Sequence, residues 1–267
     1  MKIGIVSNIP RTGRTVIMML LAQTFARSQR KRVAVFSTGE LGHIVNPIKA
    51  MQEPDDANTV GVFRAMLETG TIAGKALFDY SVRTSRDNVF VFNLIDNNRF
   101  IGQSFEFLSR TLKTIDADMV LVEIRGRIDD PKNAEVVNTC DRILNVFNQD
   151  VISIDLVKER LARLNEKQKS KCILICNRFD DRVCSENKLS GLVGVGRKYI
   201  HTVEEHPVLA RMINEGEFEK LTSGIVYGDP TMVSLRRDAM NLMRAAVDTD
   251  TRRIIKSYEL WPRNGEE

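Results

Sequence analysis

The chain is poor in the residues that several kinds of chemistry need. Among its 267 residues are three histidines, four cysteines, one tryptophan and seven prolines. His43, His201 and His206 pair with no cysteine or aspartate at ligand spacing in the sequence, so no metal site is expected from them. Cys140, Cys172, Cys176 and Cys184 match neither a zinc knuckle nor a disulfide framework. They read as buried or free thiols of a reducing compartment. No apolar run is long enough to span a bilayer. There is no Gly-x-Ser-x-Gly elbow and no recognisable nucleophile–base pair. No Pro- or Gly-rich linker, repeat or low-complexity tract divides the chain. Charge of one sign is also scarce: the net charge is +4, with acids and bases interspersed. The basic clusters Arg30-Lys31-Arg32 and Arg252-Arg253 are short, so nucleic acid is not an indicated partner. The first residues run straight into a strand-like segment, so no signal peptide is expected and the reading is cytoplasmic.

What the chain has is apolar periodicity. Hydrophobic residues make up 43% of it, enough for a proper core. Ile3–Ser7, Val33–Ser37, Val89–Leu94, Met119–Ile124 and Cys172–Cys176 read as buried strands, with Ile143–Phe147 and Lys198–Thr202 as two more. Most are near-continuous in Val, Ile, Leu and Phe, as parallel strands covered on both faces are. Helical patterns alternate with them: Thr15–Ser28, Ser104–Ile115, Val151–Leu164, Pro207–Glu215 and Thr231–Val247. That alternation predicts right-handed crossovers and an α/β fold, a doubly wound, mostly parallel sheet flanked by helices. Residues 1–250 read as one domain and 251–267 as a tail. Ile44–Thr59, with Pro47 and Pro54, reads as an irregular loop.

The segment Ile3-Gly4-Ile5-Val6-Ser7-Asn8-Ile9-Pro10-Arg11-Thr12-Gly13-Arg14-Thr15 carries most of the information. It reads as a strand entering a phosphate-binding loop, Gly-x-x-x-x-Gly-Lys-Ser/Thr, with working parts exchanged. Asn8 holds the first glycine position, Arg14 the lysine position and Thr15 the hydroxyl position. Such a loop works because backbone N–H groups at a helix start surround an anion. Gly13 and Thr15 fit their posts, and Val16 begins an apolar helix. Arg14 keeps the charge but is planar and larger than lysine. Pro10 has no N–H to donate. Arg11 can supply charge from the loop. An ordinary strand–turn–helix would show the same local pattern.

On these residues the chain resembles the MinD/ParA group of P-loop ATPases, and within it the CpaE/TadZ pilus-localising proteins. The family's Lys-Gly-Gly-x-Gly-Lys-Thr falls on Ile9-Pro10-Arg11-Thr12-Gly13-Arg14-Thr15. Its Walker B aspartate falls on Glu123, at the end of Met119-Val120-Leu121-Val122-Glu123. The aspartate that helps activate water falls on Ser37. Cys140-Asp141-Arg142-Ile143-Leu144-Asn145-Val146 resembles the family's Ala-Asp-x-Val-Leu strand. Cys172-Ile173-Leu174-Ile175-Cys176-Asn177-Arg178 resembles the strand ending in Asn-Arg. Tyr199–Glu217 resembles the last strand and the turn after it. The likeness covers residues 1–247.

The resemblance implies ATP or ADP with Mg²⁺ as ligand. Arg11, Thr12, Gly13, Arg14, Thr15 and Val16 would lie around the phosphates, Asn177 at the adenine, and Thr15 with Glu123 at the metal. It implies a homodimer that sandwiches nucleotide. However, the lysine that reaches across such a dimer falls on Ile9, and the water-activating aspartate on Ser37. Little or no hydrolysis is therefore expected, and no catalytic residue is assigned. Three functions stay open: a catalytically degenerate protein that positions a pilus or secretion assembly by protein contact, an active partitioning ATPase, and a nucleotide-free interaction domain. The tail Arg252–Trp261 is basic, aliphatic and aromatic but stops at Pro262, so any membrane contact would be peripheral.

Overall fold

The computed structural model describes residues 1–37, 69–70, 74–83, 88–92, 104–215, 220, 223–225 and 229–247. His43, the loop 44–59 and the tail 251–267 lie outside the described residues.

Eight strands form one sheet: β1 (Lys2–Val6), β2 (Val33–Ser37), β3 (Val82–Arg83), β4 (Val89–Phe92), β5 (Met119–Glu123), β6 (Arg142–Asn148), β7 (Cys172–Phe179) and β8 (Ile200–Glu204). Their spatial order is β3-β4-β2-β5-β1-β6-β7-β8. All neighbours run parallel except β3, which pairs antiparallel with β4 at one edge. The expected doubly wound α/β sheet is therefore present. The order changes direction around β1, so the crevice at its carboxyl end is where a ligand site belongs in such a sheet.

The helices are α1 (Arg14–Gln29), α2 (Ser104–Thr114), α3 (Ala134–Thr139), α4 (Val151–Arg163), α5 (Glu166–Lys171), α6 (Glu186–Val193), α7 (Pro207–Asn214) and α8 (Val233–Val247). They cover both faces of the sheet. Ile3, Ile5, Val33, Val35, Leu121, Leu144 and Ile175 point to the side of α1, α7 and α8. Val6, Phe36, Phe92, Val122, Phe147 and Cys176 point to the side of α2, α3, α4 and α6. This two-sided alternation is why the strands read as unbroken apolar runs. Ile17 through Ala26 are all buried in α1, because α8 lies on the same face of the sheet and packs along its flank. A helix buried all round shows no polar face.

The strand expected at Lys198–Thr202 begins two residues later, because Arg197–Tyr199 forms a 3-10 turn first. Pro230–Met232 likewise forms a 3-10 turn, and α8 starts after it. Asp150 caps α4 by accepting the Ser153 N–H at 2.8 Å, and Asn165 forms a full capping box with Gln168 on α5.

Burial pushes the thiols of Cys140, Cys172 and Cys176 up to about 12. Cys184 is buried too. The native chain is expected to react with a colorimetric thiol reagent at least about a hundredfold more slowly than the chain in guanidinium, since only the thiolate attacks. A fast native reaction of even one thiol would contradict this packing.

Several carboxylates make stability acid-sensitive. Partial burial alone would raise Asp150 and Asp118. The Ser153 hydroxyl and N–H donate to Asp150, and Arg32 N–H and Lys31 act on Asp118, so both end below their ordinary value. Glu186 is lowered in the same way by Thr202 and Arg197 against burial. Groups lowered on folding stabilise the native state above their unfolded pKa and lose that contribution as pH falls through the folded one. The urea midpoint should therefore hold from about pH 7 to 5 on their account and fall from about pH 4 downward. A midpoint that rose toward pH 3 would refute these pairings.

Candidate functional site

β1 delivers the chain to the sheet's carboxyl edge at Val6, and the loop 7–13 then turns it into α1. Serine and threonine hydroxyls hold that turn from inside. Ser7 Oγ donates to Ile9 O at 2.8 Å, accepts from Ile9 N–H at 3.2 Å and accepts from Thr12 Oγ1 at 2.8 Å. Ser7 and Thr12 are buried. Arg11 is exposed and left-handed, with φ of 63°. Gly13 is left-handed as well, with φ of 81°, and caps α1 without a side-chain acceptor. The first-turn amides of α1 are thus left without the side-chain cap that α4, α5 and α6 possess. Open N–H groups at a helix start suit an anion.

A second strand clamps the loop. Asn177 on β7 donates its Nδ2 to Thr12 O at 2.7 Å, and the pair is buried. A Cβ on Gly13 would lie 2.2 Å from the same nitrogen. Asn177 thus holds the backbone of the loop, a use that the sequence did not suggest. It comes from 165 residues away, beyond the reach of any periodicity.

The two residues selected for a metal do meet. Thr15 Oγ1 donates to Glu123 Oε1 at 2.7 Å. Arg14 was expected to face phosphate. Instead its Nε donates to the same Oε1 at 3.0 Å and its Nη1 to Ile124 O at 2.9 Å. The side chains are 19% and 5% exposed, so this is a largely desolvated ion pair. Ser37 ends β2 directly beside Glu123 in register. Val16, the last of the expected loop residues, is half-buried in the first turn of α1.

Orphaned amides fit a polar ligand near the loop. Asn8, at the first glycine position, has both Oδ1 and Nδ2 buried without a partner. So does Asn145, whose register partner is Val6. Each unmet buried amide costs on the order of 1–3 kcal/mol. A Mg²⁺ ion fits less well. The carboxylate oxygen that would hold its water shell accepts from a guanidinium and a hydroxyl, and a cation there would stand against Arg14.

The loop after β5 is fixed to α4. Asp129 accepts from Arg160 Nη1 at 3.1 Å, both nearly buried, with Arg127 and Arg163 nearby at 3.5 Å. Asn133 donates to the carbonyls of Arg125 and Arg127. Beside this cluster, Gln149 donates to Asp180 O and Cys184 O. That ties the start of α4 to the loop after β7. The exposed side chains Val151, Ile152 and Val183 flank this tie, at 73%, 70% and 66% exposure.

No family sequence model and no curated protein sequence matches the chain. Solved structures do resemble it. A ParA family ATPase from Chlorobium tepidum superposes with a TM-score of 0.69 at 15% identity, over 93% of this chain and 99% of that one. MinD from Pyrococcus horikoshii, complexed with Mg-ADP, gives 0.65 at 15% identity, over 96% and 98%. The MinC:MinD complex of Aquifex aeolicus gives 0.64 at 16% identity, over 96% of each chain. The chain therefore has the MinD/ParA P-loop fold. Among the described residues, no helix is long and apolar enough to cross a membrane.

Proposed function

We propose that the chain is a catalytically degenerate MinD/ParA-like protein that retains nucleotide phosphates in its first loop and works through protein contacts. The observation that supports this best is Arg14. It sits at the lysine position of an intact loop yet bonds Glu123 and Ile124 O. The helix start, Gly13 and Thr15 keep the shape that surrounds phosphate. Ile9 and Ser37 stand where the resemblance puts the groups that drive bond cleavage. A ligand held without turnover acts as a structural part or a slow switch.

The assembly served is one of the pilus or secretion type, by the likeness to CpaE/TadZ proteins. The exposed apolar side chains of Val151, Ile152 and Val183, around the Gln149 tie between α4 and the loop after β7, offer a protein partner a place to dock. The loop environment would hold ATP or ADP through Arg11, Thr12, Gly13, Arg14, Thr15 and Val16, in a monomer or a homodimer.

A fluorescent ATP analogue titrated into the full chain tests the binding half. Saturable binding is expected, weakened at least about tenfold by the double substitution Arg14→Ala, Thr15→Ala, which removes two ligand groups. No saturable signal from the wild type would leave an interaction domain without nucleotide, and equal saturable signals from both proteins would place the nucleotide elsewhere than on Arg14 and Thr15. In cells lacking the chain, pilus or secretion complexes should lose their normal placement; unchanged placement would reject the positioning role.

A further inference from the structure

We infer that Arg14, anchored on Glu123, takes the place of magnesium, so that this cradle binds nucleotide phosphates without a divalent cation. The inference rests on the reading that the loop binds nucleotide.

In a loop with lysine, the lysine and the metal are separate positive centres, and a carboxylate faces the metal's water. Here the carboxylate is already neutralised. Glu123 Oε1 accepts from Arg14 Nε at 3.0 Å and Thr15 Oγ1 at 2.7 Å. Both hydroxyl and carboxylate that would serve a metal are therefore bonded to each other and to a fixed cation. A second cation placed between them would be repelled by the guanidinium at close range, in a setting with little water to screen it. Arginine cannot lose its proton to relieve that conflict.

The guanidinium is also anchored twice, by Glu123 and by Ile124 O. Its remaining N–H donors, on Nη2 and one on Nη1, make no bond among the described residues. A planar fork held in this way can present a fixed pair of donors to phosphate oxygens, which a flexible ammonium cannot. Arg11 adds an exposed positive charge from the left-handed turn of the loop, and the uncapped start of α1 adds its amides.

The test is an ADP titration of the full chain by calorimetry in two buffers, one with excess Mg²⁺ and one with EDTA. It is paired with Mn²⁺ paramagnetic resonance on the same protein. The dissociation constants should agree within about twofold, and ADP should add no protein-bound Mn²⁺ beyond any held by the chain alone, where Glu204, His206 and Asp238 lie close together. Arg14→Lys restores a flexible point charge and removes the Nε bond to Glu123; it should create at least a tenfold preference for the Mg²⁺ buffer and an ADP-dependent bound Mn²⁺ signal. Glu123→Gln keeps the shape and removes the carboxylate; its ADP affinity in Mg²⁺ should not fall. Tenfold tighter wild-type binding in Mg²⁺ overturns the inference and leaves nucleotide binding standing. A fall in affinity of Glu123→Gln confined to the Mg²⁺ buffer does the same. No binding in either buffer overturns both.

Discussion

Asp129→Ala is expected to destabilise the chain by about 3–5 kcal/mol, the usual cost of removing one partner from a buried ion pair. Asp129 and Arg160 are 10% and 9% exposed in their side chains and lie 3.1 Å apart. Removing the carboxylate leaves the guanidinium only the half-exposed Glu159, at 3.8 Å, and its Nε already lacks a partner. Arg127 and Arg163, each 3.5 Å from the same carboxylate, would add repulsion. The loop between β5 and α3 would lose its anchor to α4. The loss is one of pairing, so the double substitution Asp129→Ala, Arg160→Met should recover most of it. Urea unfolding of the three proteins checks this. A single variant within about 1 kcal/mol of wild type, the scale of an exposed pair, would show that the ion pair is solvated rather than buried.

The second large effect belongs to Gly13→Ala, and it reports on the loop itself. Two costs combine. Alanine resists the left-handed backbone that Gly13 adopts at φ of 81°. Its Cβ would also fall 2.2 Å from Asn177 Nδ2, which must move and give up its 2.7 Å bond to Thr12 O. Together these should cost about 2–3 kcal/mol, from the strain and one lost buried hydrogen bond. Asn177→Ala alone should cost about 1 kcal/mol or somewhat more. In the double variant the clash is gone, so the two losses should add to less than their sum. Strict additivity would mean that Asn177 does not touch the loop. Nucleotide affinity should fall with Gly13→Ala as well, because the helix start can no longer hold its position.

Both effects arise from contacts between residues far apart in the chain, which leave no local pattern in the sequence. β2 was legible to the residue, as Val33–Ser37, because a run buried on both faces leaves an unmistakable apolar block. α1 and α4 were legible to within a residue or two, from their apolar periodicity. β3 was not, since two residues at a sheet edge carry no pattern. Nor was α5, whose Glu-Lys-Gln-Lys-Ser-Lys buries nothing and exists through its capping box. α6 was hidden because it is short and carries Gly191. In the site, Arg14, Thr15 and Glu123 were each singled out by their posts along the chain. That Arg14 turns to Glu123 is a tertiary fact, since the two lie 109 residues apart and meet only when β5 lies beside β1. The Asn177–Thr12 clamp and the Arg160–Asp129 pair escaped for the same reason.

The fate of ATP held by the purified chain tests the central claim most directly. Protein mixed with labelled ATP, freed of excess and sampled over an hour should retain nucleotide that is still ATP, with ADP no faster to appear than in buffer. Steady conversion to ADP on the protein, or no nucleotide retained at all, would contradict a loop that keeps its grip on phosphate after losing the means to cleave it.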